Sequence, residues 1–262
     1  MTTGLLTSKS VLISGATQGL GRAIAIAAAH QGADRIAITG RNKERGAAVA
    51  DELTALGARA LFIPTDLESV DSARASVAAA IDAFDTLDCV VNSAGLTTRG
   101  SMLGTDQELF DQHMAVNVRA PFFIMQAAIA HMKEHGIEGT IVNIITTSSK
   151  GGTPSLVPYA ISKAALAAAT KNAANSHRWD RIRINGVNIG WTATPGEDSI
   201  QREFHGADDS WLEKANASQP MGKLGQPDEI ADFVVFLLSA RSGVVNGSII
   251  DWDQTVWGCE DD

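Results

Sequence analysis

The sequence predicts an α/β fold, a single domain built on a doubly wound parallel sheet of about seven strands with helices on both faces. Three observations predict it. Short β-branched runs bounded by turn residues alternate with longer Ala-rich stretches of helical character. The first such run leads directly into a glycine-rich turn and a helix start, Gly15 to Gly21. No linker, repeat or composition break divides the 262 residues, although that length would also admit two small domains.

In chain order, the expected strands are Ser10–Ser14, Arg35–Thr39, Ala60–Pro64, Asp88–Asn92, Thr140–Ile145, Arg183–Ile189 and Ser248–Asp251. Between them, helices are expected at Leu20–His30, Lys43–Leu56, Val70–Phe84, Glu108–Glu134, Tyr159–His177 and Pro227–Ser239. The last begins with Pro227 followed by Asp228 and Glu229, where a fixed φ and negative charge both suit a helix N-terminus. The stretch from Pro195 to Gln219 breaks the alternation, with few consecutive apolar residues. It reads as a mobile lobe or lid above the carboxyl ends of the strands, or as a solvated insertion.

Hydrophobic residues at 45% and charged residues at 19% exclude disordered, collagen-like and coiled-coil chains. The net charge of −9 disfavours nucleic acid and anionic membrane surfaces. Two cysteines, Cys89 and Cys259, make neither a disulfide framework nor a zinc pattern. Met1 to Ser10 lacks an apolar signal core, and apolar runs such as Ala23 to Ala29 fall far short of the ~18 residues of a membrane span. A cytoplasmic protein is expected.

Three motifs carry chemistry. In Ser14-Gly15-Ala16-Thr17-Gln18-Gly19-Leu20-Gly21, Gly15 permits a tight turn, Gly19 lets backbone N–H groups approach a pyrophosphate, and Gly21 permits close helix–strand packing. A bare glycine run marks only a turn; the flanking strand and helix point to a dinucleotide. Asn92-Ser93-Ala94-Gly95 ends the fourth strand with small residues that admit a ligand or simply turn the chain. Tyr159 and Lys163 stand at i and i+4 behind Pro158, so phenol and ammonium share a helix face. A nearby cation lowers a phenol's pKa from ~10 toward neutrality. Tyr159 is the single tyrosine of the chain; an exposed Tyr–Lys pair is the alternative reading.

With these motifs in place, the whole chain resembles a short-chain dehydrogenase/reductase, a family with a Rossmann-type fold, a nicotinamide cofactor and a Tyr-x-x-x-Lys pair assisted by Ser and Asn. The resemblance implies Tyr159 as acid/base, Lys163 on the nicotinamide ribose and Asn117 in a proton relay that positions a water. It implies cofactor contacts from Gly15, Thr17, Gln18, Gly19, Leu20 and Gly21 at the pyrophosphate, Asp66 and Leu67 at the adenine, and Asn92, Ala94 and Gly95 at the ribose side. Gly190, Trp191, Thr192 and Thr194 match the family's carboxamide-holding loop. It further implies a homotetramer pairing the helices at Glu108–Glu134 and Tyr159–His177, with further contacts near the last strand; for the tail Trp257–Asp262, reaching a neighbouring subunit and hanging free are both open.

The sequence departs from the family at three places. Thr146 stands where a substrate-binding serine is usual, with Ser148 as its rival: the two point the same way if the strand persists, and Thr146 is preferred by register. Ile189 replaces a proline before Gly190, and Asp251-Trp252-Asp253-Gln254 replaces a double glycine. Beyond the second strand, Thr39-Gly40-Arg41-Asn42 offers no carboxylate for a ribose diol, so Arg41 leans the cofactor, NAD(P), toward NADP. The polar residues Glu197, Gln201, Arg202, His205, Asp208 and Asp209 suit a hydroxyl-rich substrate, a sugar or polyol, with Arg99, Trp191 and His205 as pocket walls. The six histidines show no metal-ligand spacing. The alternatives are an NADPH-dependent carbonyl or ketoacyl-type reductase and a non-catalytic NAD(P) sensor.

Overall fold

The computed structural model describes residues 4–259; Glu260–Asp262 of the tail lie outside the described residues. Seven parallel strands, β1 (Ser10–Ser14), β2 (Arg35–Gly40), β3 (Arg59–Pro64), β4 (Cys89–Asn92), β5 (Thr140–Thr146), β6 (Arg183–Ile189) and β7 (Ile249–Trp252), form one sheet in the order β3-β2-β1-β4-β5-β6-β7. Each lies within one residue of its expected bounds. Strand alternation feeds two cores: Val11 and Ile13 pack on one face and Leu12 on the other, as do Cys89 and Val91 against Val90. Over the first face lie α1 (Gly19–His30), α2 (Lys43–Ala55) and α9 (Pro227–Leu238). The second carries α3 (Val70–Phe84), α5 (Ala120–Glu134) and α6 (Val157–Ser176).

The strand order reverses between β1 and β4, β1 pairing β2 on its other side. The chain leaves the two strands in opposite directions there and opens a crevice at their carboxyl ends. Gly15 to Gly21 and Asn92 to Gly95 both stand at that edge.

Two segments differ from the sequence reading. The expected helix over 108–134 is interrupted: α4 (Gln107–Met114) passes through a π-helical turn, Ala115–Arg119, into α5. The π turn widens the helix by one residue where Asn117 sits. The polar stretch after Pro195 is helical, α7 (Pro195–His205) and α8 (Trp211–Ala217). Helix-end chemistry accounts for α7 without apolar runs. The Thr194 hydroxyl accepts from Glu197 N, Glu197 and Asp198 occupy the first turn, Arg202 and His205 the last, and Gly206 ends the helix at φ 63°. Among the described residues no helix is long and apolar enough to cross a membrane, and no cluster of three metal-ligating side chains occurs.

Candidate active site

A cleft of about 770 Å³ runs along the carboxyl ends of the strands, from Arg41, Asp66 and Leu67 at one end to Tyr159, Lys163, Ile189 and Thr194 at the other. Its middle is built by glycines that admit no side chain. A Cβ on Gly15, whose φ is +69°, would sit 2.6 Å from Ala94 Cα, and one on Gly21 2.4 Å from the Gly15 carbonyl oxygen. Gly19, at φ +56°, stands where an added Cβ would meet the Thr194 side chain at 3.8 Å. The cap of α1, Gln18, makes no side-chain bond to the helix, and the first turn holds no acidic residue. The first-turn N–H groups are therefore left to whatever occupies the cleft, an arrangement suited to a phosphate. Thr17, Gln18, Leu20, Ala94 and Gly95 complete this wall, so its shape and donor set fit a dinucleotide.

At the far end, Tyr159 stands in the first turn of α6 and Lys163 one turn later. Burial pushes the Tyr159 phenol up to about 12, against a lowering interaction with the Thr146 hydroxyl. Burial also brings the Lys163 ammonium down to about 8. Lys163 Nζ donates to the Ile144 carbonyl at 2.8 Å and lies 6.0 Å from the Tyr159 ring centre. The expected lowering of the phenol by the lysine is thus reversed: the carbonyl holds the ammonium, and desolvation dominates at the phenol.

Asn117 clamps the same corner. Its Oδ1 accepts from Leu96 N at 2.8 Å, while Nδ2 donates to the Leu96 carbonyl and to Ser162 Oγ, both at 2.9 Å. With both amide hydrogens used, only a lone pair of Oδ1 is left to hold a water. A Cβ on Gly95 would lie 3.5 Å from Lys163 Nζ and 3.8 Å from this Oδ1, so the missing side chain keeps the two groups accessible to one another.

The strand does not persist to Ser148. β5 ends at the buried Thr146, and Thr147–Lys150 form a 3₁₀ turn in which Ser148 N donates to Thr146 Oγ1 at 3.2 Å. Thr146 is the hydroxyl that bears on the Tyr159 phenol, while Ser148 is carried into the turn.

Several expected cofactor contacts stand elsewhere. Asn92 is buried behind the cleft wall, where its Nδ2 donates to Asn143 Oδ1 at 2.8 Å and ties β4 to β5. Gly190, Trp191 and Thr192 are also outside the lining, while Ile189, Thr194 and Gly196 of the same stretch are in it; backbone bonds tie Gly190 to Trp252 and Trp191 to Gly225. Gly190 is needed there for packing: a Cβ would lie 2.0 Å from Asp253 Oδ1. The acidic Asp251 that replaces a glycine accepts from Asn188 Nδ2 at 2.9 Å and pairs with Lys150.

Over the Tyr159 end sits a polar network. Arg99, in the loop after β4, donates from Nε to His205 Nε2 at 3.3 Å and from Nη1 to the Thr97 carbonyl at 3.2 Å. Glu197 Oε1 accepts from Trp191 Nε1 at 2.8 Å and Gln201 Nε2 at 2.7 Å. Trp191 stacks on Trp211, whose Nε1 donates to Asp198, so its indole belongs to the lid and not to the cofactor wall. The three expected wall residues, Arg99, Trp191 and His205, are therefore brought together. Glu197, expected among the polar residues of the lid, links them. Arg45, Gln112 and Ile145 line the cleft unforeseen, and Ser93 joins them from the Asn92–Gly95 turn; Arg45 stands in the first turn of α2, four residues past Arg41.

The chain is similar to known proteins over nearly its whole length. The family model described as enoyl-(acyl carrier protein) reductase matches residues 15–254. L-rhamnose 1-dehydrogenase (NAD(P)(+)) of Azotobacter vinelandii is 34% identical over 248 residues, covering 93% of this chain and 94% of its own. A-factor type gamma-butyrolactone 1'-reductase (1S-forming) of Streptomyces virginiae is 32% identical over 259 residues, covering 97% and 98%. A solved structure from Sinorhizobium meliloti 1021, described as a short-chain alcohol dehydrogenase, superposes with a TM-score of 0.86 at 29% identity, covering 95% of this chain and 96% of that one.

Proposed function

Because the chain belongs to the short-chain dehydrogenase/reductase family, and is an oxidoreductase of alcohol or carbonyl groups that uses NAD(P), we propose that its substrate is a sugar or polyol. The observation that carries this reading is the polar network of Arg99, Glu197, Gln201 and His205 beside the Tyr159 phenol. An apolar substrate there would leave the polar atoms that face it without a hydrogen-bond partner, at a cost of about 1–3 kcal/mol each. The likeness to a rhamnose dehydrogenase supports it.

When bound, the nicotinamide accepts or gives a hydride at C4. The chain's own residues orient and move the proton. Tyr159 exchanges it with the substrate oxygen at Oη, and Thr146 donates a hydrogen bond to that oxygen. Lys163 would lie against the nicotinamide ribose, and its ammonium, brought down to about 8, titrates close enough to neutrality to pass protons on. Asn117 fixes the loop that carries Gly95. Arg41, with Arg45 beside it in the cleft and no carboxylate at the end of β2, favours NADP over NAD. The half-exposed Phe122 and Ile161 on α5 and α6 support a homotetramer paired through these helices.

The test is nicotinamide absorbance with purified protein, NAD or NADP, and a panel of aldoses, polyols, acidic sugars and simple ketones. Turnover of a polyhydroxylated substrate is the expected result. Reduction of ketones without oxidation of any polyol would favour a reductase, the second reading that the butyrolactone reductase likeness supports; cofactor binding with no turnover would favour a sensor.

A further inference from the structure

Arg99 and Glu197 reach the same point from two elements, the loop after β4 and the first turn of α7. Their side chains are mostly covered, 14% and 17% exposed, yet Arg99 Nη2 and Glu197 Oε1 stand 3.8 Å apart, too far for a hydrogen bond. Each group is partly spent. Arg99 uses Nε and Nη1 on His205 and Thr97, and Glu197 uses Oε1 twice, on Trp191 and Gln201. Among the described residues, Nη2 and Oε2 make no hydrogen bond. The Trp191 indole and the Gln201 amide hold the carboxylate, so the gap is kept open. Both charges are felt at the reactive phenol, which Glu197 pushes up and Arg99 pulls down.

A free donor beside a free acceptor is a recognition element with few solutions. A carboxylate would satisfy Arg99 and be repelled by Glu197, and an amine the reverse. A hydroxyl both accepts and donates. Resting on the dehydrogenase reading above, we propose that Arg99 Nη2 and Glu197 Oε2 form a two-point clamp for the hydroxyl on the carbon next to the one oxidised. The enzyme then selects vicinal diols. Glu197 comes from the lid helix and Arg99 from the sheet edge, so the same hydroxyl would fasten the lid across the site.

Cyclohexanol and cis-1,2-cyclohexanediol are the probes, compared by NAD(P) reduction and by tryptophan fluorescence, since Trp191 is bonded to Glu197. The diol is expected to be favoured by roughly tenfold or more in both binding and kcat/KM. Glu197→Gln, which replaces the free acceptor by an amide donor, and Arg99→Met are each expected to bring that ratio near one while cofactor Kd stays unchanged. That unchanged Kd also shows that the variants are folded. A ratio near one in the unaltered protein, a ratio that survives both substitutions, or no saturable response to the diol overturns the clamp. If sugars are oxidised but the ratio is near one, the clamp fails and the dehydrogenase reading stands. If no alcohol is oxidised while the diol still quenches fluorescence in a Glu197-dependent way, the reverse holds.

Discussion

Around Gly15 and Ala94 the cleft wall is backbone and small side chains, set by parallel strands whose register leaves no freedom. Over the Tyr159 end, beyond that lining, Arg99 and Glu197 present long charged side chains, set by a loop and a capped helix that hold one another through shared hydrogen bonds. On the reading proposed above, the first wall would take what every dinucleotide has in common, phosphate and ribose, through backbone N–H groups, and the second what differs among substrates. Damage should accordingly be all-or-none on the cofactor side and graded on the substrate side.

The largest departure is expected from Gly15→Ala. A Cβ there lies 2.6 Å from Ala94 Cα at φ +69°, a conformation that alone costs about 1–3 kcal/mol, and fluorescence titration should show cofactor binding lost. Next come the two hydroxyls. Thr146→Ala should lower turnover about tenfold or more, and Ser148→Ala much less; steady-state kinetics showing equal or reversed losses would remove Thr146 from the substrate oxygen. Arg41→Ala should weaken NADP by about tenfold and NAD little, since only a 2′-phosphate uses the guanidinium. Equal losses in the two Kd values would remove the preference for NADP.

The smallest effect concerns stability. Burial lowers Lys163 from 10.5 to about 8, a penalty on the order of 3 kcal/mol while the lysine is charged, part of which the bond to the Ile144 carbonyl returns. The penalty is complete below pH 8. It fades as pH rises from 8 toward 10.5, because the unfolded chain still binds the proton that the folded lysine has released. Lys163→Met should therefore lose turnover yet unfold no more easily at pH 7, with a gain of about 1 kcal/mol that disappears by pH 10.5. Denaturant titrations at pH 7 and above pH 10 measure it; a variant clearly less stable at pH 7 contradicts the account.

The same contrast explains what the sequence made legible. Strand bounds came from β-branched runs that must alternate between two cores, as Val11, Leu12 and Ile13 do, and the glycine turn came from positions where no side chain fits. The helix α7 was hidden because its stability rests on caps and end charges, not on an apolar stripe. The π turn at Asn117 has no periodic signature at all. The bond of Asn92 to Asn143 depends on strand order, which no local pattern contains. The sequence places Glu197 among the polar residues of the lid but not its bonds, because its partners Trp191, Gln201 and Arg99 meet only after the lid has folded over the strand ends.

The most direct test of the division between the two walls is Tyr159→Phe, with cofactor Kd from nicotinamide fluorescence and turnover from nicotinamide absorbance on whichever polyhydroxylated substrate the panel yields. The account predicts an unchanged Kd and a turnover lowered by about 10²–10⁴-fold. Turnover that persists in the variant, or cofactor affinity that falls with it in equal measure, would contradict it.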